Sequence, residues 1–301
     1  MKQILLVPDS FKGTLTSRQV CETMAEQLHL VFPEADITSL PVADGGEGSV
    51  DAFLAAAGGE RVELPVTGPF GEPVRGFYGL LPDGETAVLE MAACAGLPLA
   101  EGRLDPERAT TYGVGELILD AIRRGRRKII LGLGGSCTND GGVGAAAALG
   151  AKFTRADGTE FLPTGGTLQE IAALDCTPVA KALEGVELVA MCDIDNPLYG
   201  ENGAAYVFAP QKGADGPMVE RLDQGLRHLG QVAGWCLGRD LSQMPGAGAA
   251  GGLGFGMAAF CGARLRMGID VVLDTLGFDK RLPSADLVFT GEGKINFQSL
   301  R

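Results

Sequence analysis

The chain has 301 residues, 46% hydrophobic and 21% charged, enough to bury one large or two ordinary cores. That balance argues against a disordered tail or a membrane-spanning protein. A formal net charge of −13 repels phosphate backbones and anionic lipid, so neither nucleic acid nor a membrane surface is an expected partner. A small anionic substrate stays compatible, because a local nest of N–H groups outweighs global charge. The 46 glycines fall in clusters without a fixed period, the pattern of tight loops where backbone approaches a ligand. Seven cysteines without a C-x-x-C spacing, and only two histidines, argue against a disulfide framework or structural zinc and for a cytoplasmic location.

Residues 2–7 are a short apolar run that suits a buried parallel strand and is too short for a signal peptide. Thr16 and Gln19 form a T-x-x-Q capping box for a helix whose face carries Val20, Met24 and Leu28. A strand near residues 37–41 leads through DGGEG into a helix with Val50, Phe53, Leu54 and Ala57 on one face, stopped by Gly58 and Gly59. Residues 74–81 and 86–91 flank Pro82-Asp83-Gly84-Glu85 and predict an antiparallel hairpin. Val114, Leu117, Ile118 and Ala121 mark the next helix, and the basic RRGRRK at 123–128 suits its C-terminus. An apolar strand over 128–133 feeds an Ala-rich helix through Leu149.

Asp157-Gly158 signals a second hairpin, and residues 186–192 and 204–208 read as strands. A long helix is expected near Asp215 with Pro217 in its first turn, a packed helix in the second half of 246–262, and a last strand over 286–290. The strands that precede glycine-rich loops read as one parallel sheet, and the hairpins as a second, mixed layer. The expected fold is α/β with two discontinuous domains and a cleft between them. One would comprise residues 1–62, 110–180 and 283–301, and the other 63–109 and 181–282.

Five strand ends carry residues suited to chemistry. The most distinctive is KIILGLGGSCTNDGGVGAAAALG at 128–150, where a strand, a glycine-rich turn and a helix follow one another. Such a turn aims N–H groups at one point, and the helix N-terminus adds about half a positive charge. Gly134, Gly135, Gly141 and Gly142 would let phosphate oxygens approach the main chain, Ser136 and Thr138 would add hydroxyls, and Asn139 and Asp140 suit Mg²⁺. A tight turn that needs glycine only for packing is the alternative. No Walker A sequence occurs, and GAGAAG at 246–251 has the dinucleotide spacing without the strand that should precede it.

PDSFKG ends the first strand, with Ser10 and with Lys12 placed to neutralise a phosphate or carboxylate. Asp44 and Glu47 flank the glycines of ADGGEG, where they suit a helix cap, a metal ligand or a general base. Asp193, Asp195 and Asn196 leave another strand, as a base or metal group or as an Asn-Pro turn, and Lys212 in PQKGA is a further anion contact. TGEG at 290–293 places Glu292, with Lys294 beyond it, at the last strand end.

Six ordered segments, PDSFKG, ADGGEG, GLGGSCTNDGG, CDIDNPLYG, PQKGA and TGEG, together resemble the glycerate kinase family, the type distinct from the P-loop and ribokinase-like enzymes. The resemblance implies transfer of the ATP γ-phosphate to a hydroxyl of D-glycerate with Mg²⁺. It also implies one Rossmann-like parallel sheet and one flavodoxin-like mixed sheet, and is compatible with a homo-oligomer. Family members continue past TGEG, so part of the domain that holds the first strand is expected beyond Arg301. In the scheme that follows, residues 134–142 cradle the phosphates, Asp140 or Asp193 holds Mg²⁺, and Lys12 balances charge. Asp193 or Asp44 takes the hydroxyl proton, while Ser10, Lys12, Glu47, Asn196, Lys212 and Glu292 contact substrate. Open alternatives are a non-catalytic phosphometabolite-binding protein and a nicotinamide-dependent hydroxy-acid oxidoreductase.

Overall fold

The structure, a computed structural model, describes residues 2–11, 14–42 and 45–292. Lys12, Asp44 and Lys294 lie outside these residues. The strands, in chain order, are β1 (Gln3–Pro8), β2 (Asp36–Ser39), β3 (Glu60–Thr67), β4 (Pro73–Leu80), β5 (Thr86–Glu90), β6 (Lys128–Gly132), β7 (Lys152–Thr154), β8 (Glu160–Phe161), β9 (Ala173–Asp175), β10 (Glu187–Met191), β11 (Arg264–Arg266) and β12 (Leu287–Gly291). They form a parallel three-stranded sheet ordered β12-β1-β2 and a mixed six-stranded sheet ordered β11-β10-β6-β5-β4-β3. A small antiparallel sheet is ordered β8-β7-β9. The chain is therefore α/β, as its rhythm of strand, glycine turn and helix predicts.

Both expected hairpins are present, around Pro82-Asp83-Gly84-Glu85 and around Asp157-Gly158. Thr16 and Gln19 make the capping box of helix Ser17–Val31, and Asp215 caps helix Gly216–Leu237. Two expectations are corrected. Residues 204–208 are not a strand but the helix Ala204–Phe208. A five-residue apolar run has no period long enough to separate the two. Strand β6 does not pair with β1. It lies between β5 and β10, parallel to both, in the sheet that contains the hairpin. The chain segment around residues 128–132 thus joins the sheet of residues 60–90 and 187–191, which cuts across the expected grouping.

The physical reason is burial on both faces. Ile129 and Leu131 point into one core, with Leu117, Val143 and Leu226, while Ile130 points into another, with Leu5, Val50 and Met191. Strands buried on both faces read as continuous apolar runs and carry no record of their neighbours. The second core binds the two larger sheets together through helices Ser49–Ala57 and Gly268–Leu276. Helix Ser17–Val31 covers the far face of the three-stranded sheet over Ile4, Leu6 and Cys21.

Candidate active site

The parallel strands deliver their carboxyl ends to one place, as open α/β sheets do. A cavity of about 660 Å³ is lined by Ser10 beyond β1, Gly46 and Glu47 beyond β2, Gly134, Gly135 and Ser136 beyond β6, and Asp193 beyond β10. Ser10 and Glu47 also line a second cavity of about 600 Å³ that extends toward helices Ser17–Val31 and Ser49–Ala57.

Glycine at 132 and 134 follows from the contact between two turns. A Cβ on Gly132 would stand 2.4 Å from the Gly45 carbonyl oxygen, and one on Gly134 would stand 2.5 Å from the Gly46 Cα. The Gly134 N–H donates to the Gly45 carbonyl at 3.0 Å. The GLGG segment and the turn at Gly45–Gly46 are thus pressed together, backbone to backbone, to form one wall.

Lys212 is the only cation that lines the 660 Å³ cavity among the described residues. Its side chain is buried, and Nζ donates to Ser136 Oγ and to the Thr138 carbonyl, each at 2.7 Å. Both partners are neutral, and among the described residues no carboxylate pairs with it. Burial pushes the ammonium pKa down to about 8, against the opposing pull of Cys137 and Asp140. A buried cation held by neutral groups at the edge of a cavity favours an anionic ligand.

The deeper half of the glycine-rich segment is buried behind the cavity wall. Asp140 is buried, and its carboxylate accepts from Thr111 N (2.8 Å), Thr111 Oγ1 (2.9 Å), Gly142 N (3.0 Å) and Gly144 N (3.3 Å). It fastens the start of helix Val143–Ala148 and does not line the cavity. Burial raises its pKa, and the donors from Thr111, Gly142 and Gly144 hold it back.

Gly141 donates its N–H to the Gly251 carbonyl, and Gly142 donates to Asp140. A Cβ on Gly141 would meet Leu229 at 2.3 Å. Thr138 Oγ1 faces the Ala250 carbonyl at 3.4 Å, and the Asn139 amide is buried without a hydrogen-bond partner. Thr138, Asn139, Gly141 and Gly142, expected to contact phosphate, therefore form the packed underlay of the wall. Residues 134–136 are its lip, with Gly135 exposed and Ser136 buried against Lys212.

Asp193 lines the cavity, and its Oδ1 accepts from Gly268 N at 2.7 Å. Asn196 does not line it. Its Nδ2 donates to the Asn202 carbonyl at 2.8 Å and fixes the following loop. Glu292 is exposed beyond β12 and lines neither large cavity. GAGAAG has no strand before it and leads into helix Ala249–Cys261. There Ala250 takes a left-handed φ of 53°, and both Ala249 and Ala250 line the cavity.

The sequence reading missed Glu90, Leu97 and Phe208. Leu97 and Phe208 make an apolar patch of the cavity wall beside Lys212. The Leu97 N–H donates to the Gly135 carbonyl, which seats Leu97 on the lip. Glu90, an acid at the end of the apolar run TAVLE, is 2% exposed, and its carboxylate accepts from Val50 N at 2.6 Å and Gly48 N at 3.2 Å. A lone charge at the end of a buried strand is the signal that marks it.

A family model described as the glycerate kinase family matches residues 4–301. The chain is 45% identical over 299 residues to a glycerate kinase of Bacillus subtilis (strain 168), covering 99% of this chain and 78% of that protein. It is 44% identical over 300 residues to a glycerate 2-kinase of Escherichia coli (strain K12), with the same coverages. A crystal structure of a candidate glycerate kinase 2 from Salmonella typhimurium LT2 matches with a TM-score of 0.93 at 42% identity, covering 100% of this chain and 80% of that one.

Proposed function

Since the chain belongs to the glycerate kinase family, we propose that it transfers the γ-phosphate of ATP to the 2-hydroxyl of D-glycerate in the larger cavity. The position of transfer follows the name of the Escherichia coli relative. The observation that carries the reading is Lys212, a buried cation without a carboxylate partner among the described residues, beside the glycine lip at 134–136.

The cavity is lined by both polar and apolar side chains. Gly134 touches the turn that bears Gly46 and Glu47, while Ser136 touches Lys212. Leu97, Phe208 and Ala250 lie on the Lys212 side and suit a purine base, with its phosphates over residues 134–136. Ser10, Glu47 and Asp193 lie on the polar side and suit a small hydroxy acid.

Phosphoryl transfer needs alignment and charge neutralisation more than covalent chemistry. Lys212 would hold a phosphate oxygen of the nucleotide beside Ser136, and Glu47 would accept the proton of the attacking hydroxyl. No group of three or more His, Cys, Asp or Glu that could hold a metal occurs among the described residues. That suits Mg²⁺, which is held by one or two carboxylates together with substrate phosphates. Asp193 would hold it, and the ion when bound withdraws charge from the phosphate oxygens. Lys12 and Asp44, the other expected groups, lie outside the described residues. The seven cysteines are free, which supports a reducing compartment such as the cytoplasm. No helix among the described residues is long and apolar enough to cross a membrane.

A coupled ADP-release assay with Mg·ATP tests the proposal. Turnover that needs D-glycerate, and that L-lactate and glycerol fail to support, is the expected result. Equal ADP release without an acceptor would overturn it.

A further inference from the structure

We propose that Glu90 is a positioning residue for the reaction proposed above: its ionised carboxylate holds the 45–49 turn, and with it Glu47, in the working position. Helix Ser49–Ala57 begins at Gly48, which has a left-handed φ of 92° and no side chain to cap the helix. Glu90 supplies that cap from the end of β5, taking the Val50 and Gly48 N–H groups on its two oxygens.

The same turn is held at two other points. The Gly45 carbonyl accepts from Gly134 N at 3.0 Å, and Ser49 Oγ donates to the Gly46 carbonyl at 2.7 Å. Gly45 also packs against Met191, where an added Cβ would come within 2.9 Å of the Met191 Cβ. Among these described fastenings, only Glu90 can change its charge. It joins the end of β5, the strand beside β6 and its glycine lip, to the turn that bears Glu47.

The charged groups that act on Glu90 are Asp51, on the helix it caps, and Glu47, in the turn, and both oppose its ionisation. No Lys or Arg pairs with it among the described residues. Burial raises its pKa to about 7, while the N–H groups of Val50 and Gly48 pull the other way. The ionised form accepts two charge-assisted hydrogen bonds at a helix N-terminus. The protonated form loses that assistance, and the turn loosens over a carboxyl that stays buried, so that the weakened N–H bonds and not exposure of Glu90 set the change.

Because the pKa in the fold lies above the ordinary 4.5, stability falls as pH rises from about 4.5 to 7 and is then level. Activity on this proposal moves the opposite way, which a merely structural role would not produce. The test compares wild type with Glu90→Gln between pH 6 and 8, reading kcat/KM for D-glycerate and hydrogen exchange of the peptide that contains Gly48 and Val50. Wild type is expected to lose about fivefold in kcat/KM from pH 7 to 6, with falling protection of that peptide. Glu90→Gln is expected to be at least tenfold less active at pH 8, to lack this acid limb, and to show low protection at both values.

A variant that keeps the wild-type acid limb, or wild-type protection that does not change with pH, overturns the proposal. If Glu90→Gln does not fold, exchange of the wild-type peptide alone decides. That exchange reads the turn without substrate, so failure of the glycerate reaction is distinguished from failure of the Glu90 switch.

Discussion

Replacing Lys212 with Met separates binding from stability in a way that few substitutions in this fold can. Methionine keeps most of the buried volume and removes the charge. The ammonium is expected to give a charge-assisted bond to phosphate worth about 1.5–3 kcal/mol. Its loss lowers kcat/KM by roughly 10- to 150-fold at about 1.4 kcal/mol per decade. Stability moves the other way. The fall of the Lys212 pKa from 10.5 to about 8 corresponds to about 3 kcal/mol against the folded state when the side chain is charged.

Ser136 Oγ and the Thr138 carbonyl lose a donor, at about 1 kcal/mol each. The net is a gain of about 1 kcal/mol at pH 7, a rise of about 2 °C in Tm. Since the pKa in the fold is depressed, the unfolded chain binds more protons between pH 8 and 10.5. Wild-type stability therefore gains with pH across that window from this group, and the Met variant does not. Scanning calorimetry at pH 7 and pH 10, with steady-state kinetics at pH 7, checks both halves. A variant within threefold of wild-type kcat/KM, or one destabilised by several kcal/mol, would refute the reading of Lys212 as a cation held ready for an anion.

Three further substitutions probe the walls. Asp140→Ala removes the acceptor of four hydrogen bonds and is expected to destabilise the fold by about 3 kcal/mol in denaturant titrations. A metal-ligand role would instead leave stability intact and abolish turnover. Gly134→Ala places a Cβ 2.5 Å from the Gly46 Cα, so the two turns must part, and kcat/KM is expected to fall at least tenfold. Phe208→Ala removes an aromatic side chain from the cavity wall, and is expected to raise KM for ATP about tenfold with KM for D-glycerate unchanged.

The fold class, both hairpins, the capped helices and the placing of Ser10, Glu47, Asp193 and Lys212 around a cavity were all legible, because strand ends and glycine turns are local features. What was not legible depends on neighbours distant in the chain. Ile129, Ile130 and Leu131 are buried on both faces, and nothing in them tells β1 from β5 and β10 as partners. Asp140 and Asn139 look like ligand groups in one dimension. Only the fold brings Thr111 to the first and seals the second away from the cavity. Gly141 and Gly142 share their spacing with Gly134 and Gly135, yet their N–H groups are taken by Gly251 and Asp140. Phe208 stayed hidden because a helical residue was read as part of a strand.

Phosphorus NMR of a reaction that contains Mg·ATP and D-glycerate tests the central claim most directly. The account predicts a new phosphomonoester signal, formed in step with ADP and split into a doublet by the single proton on carbon 2 of the product. A triplet would move the transfer to the 3-hydroxyl, and inorganic phosphate alone, or unchanged ATP, would contradict the account.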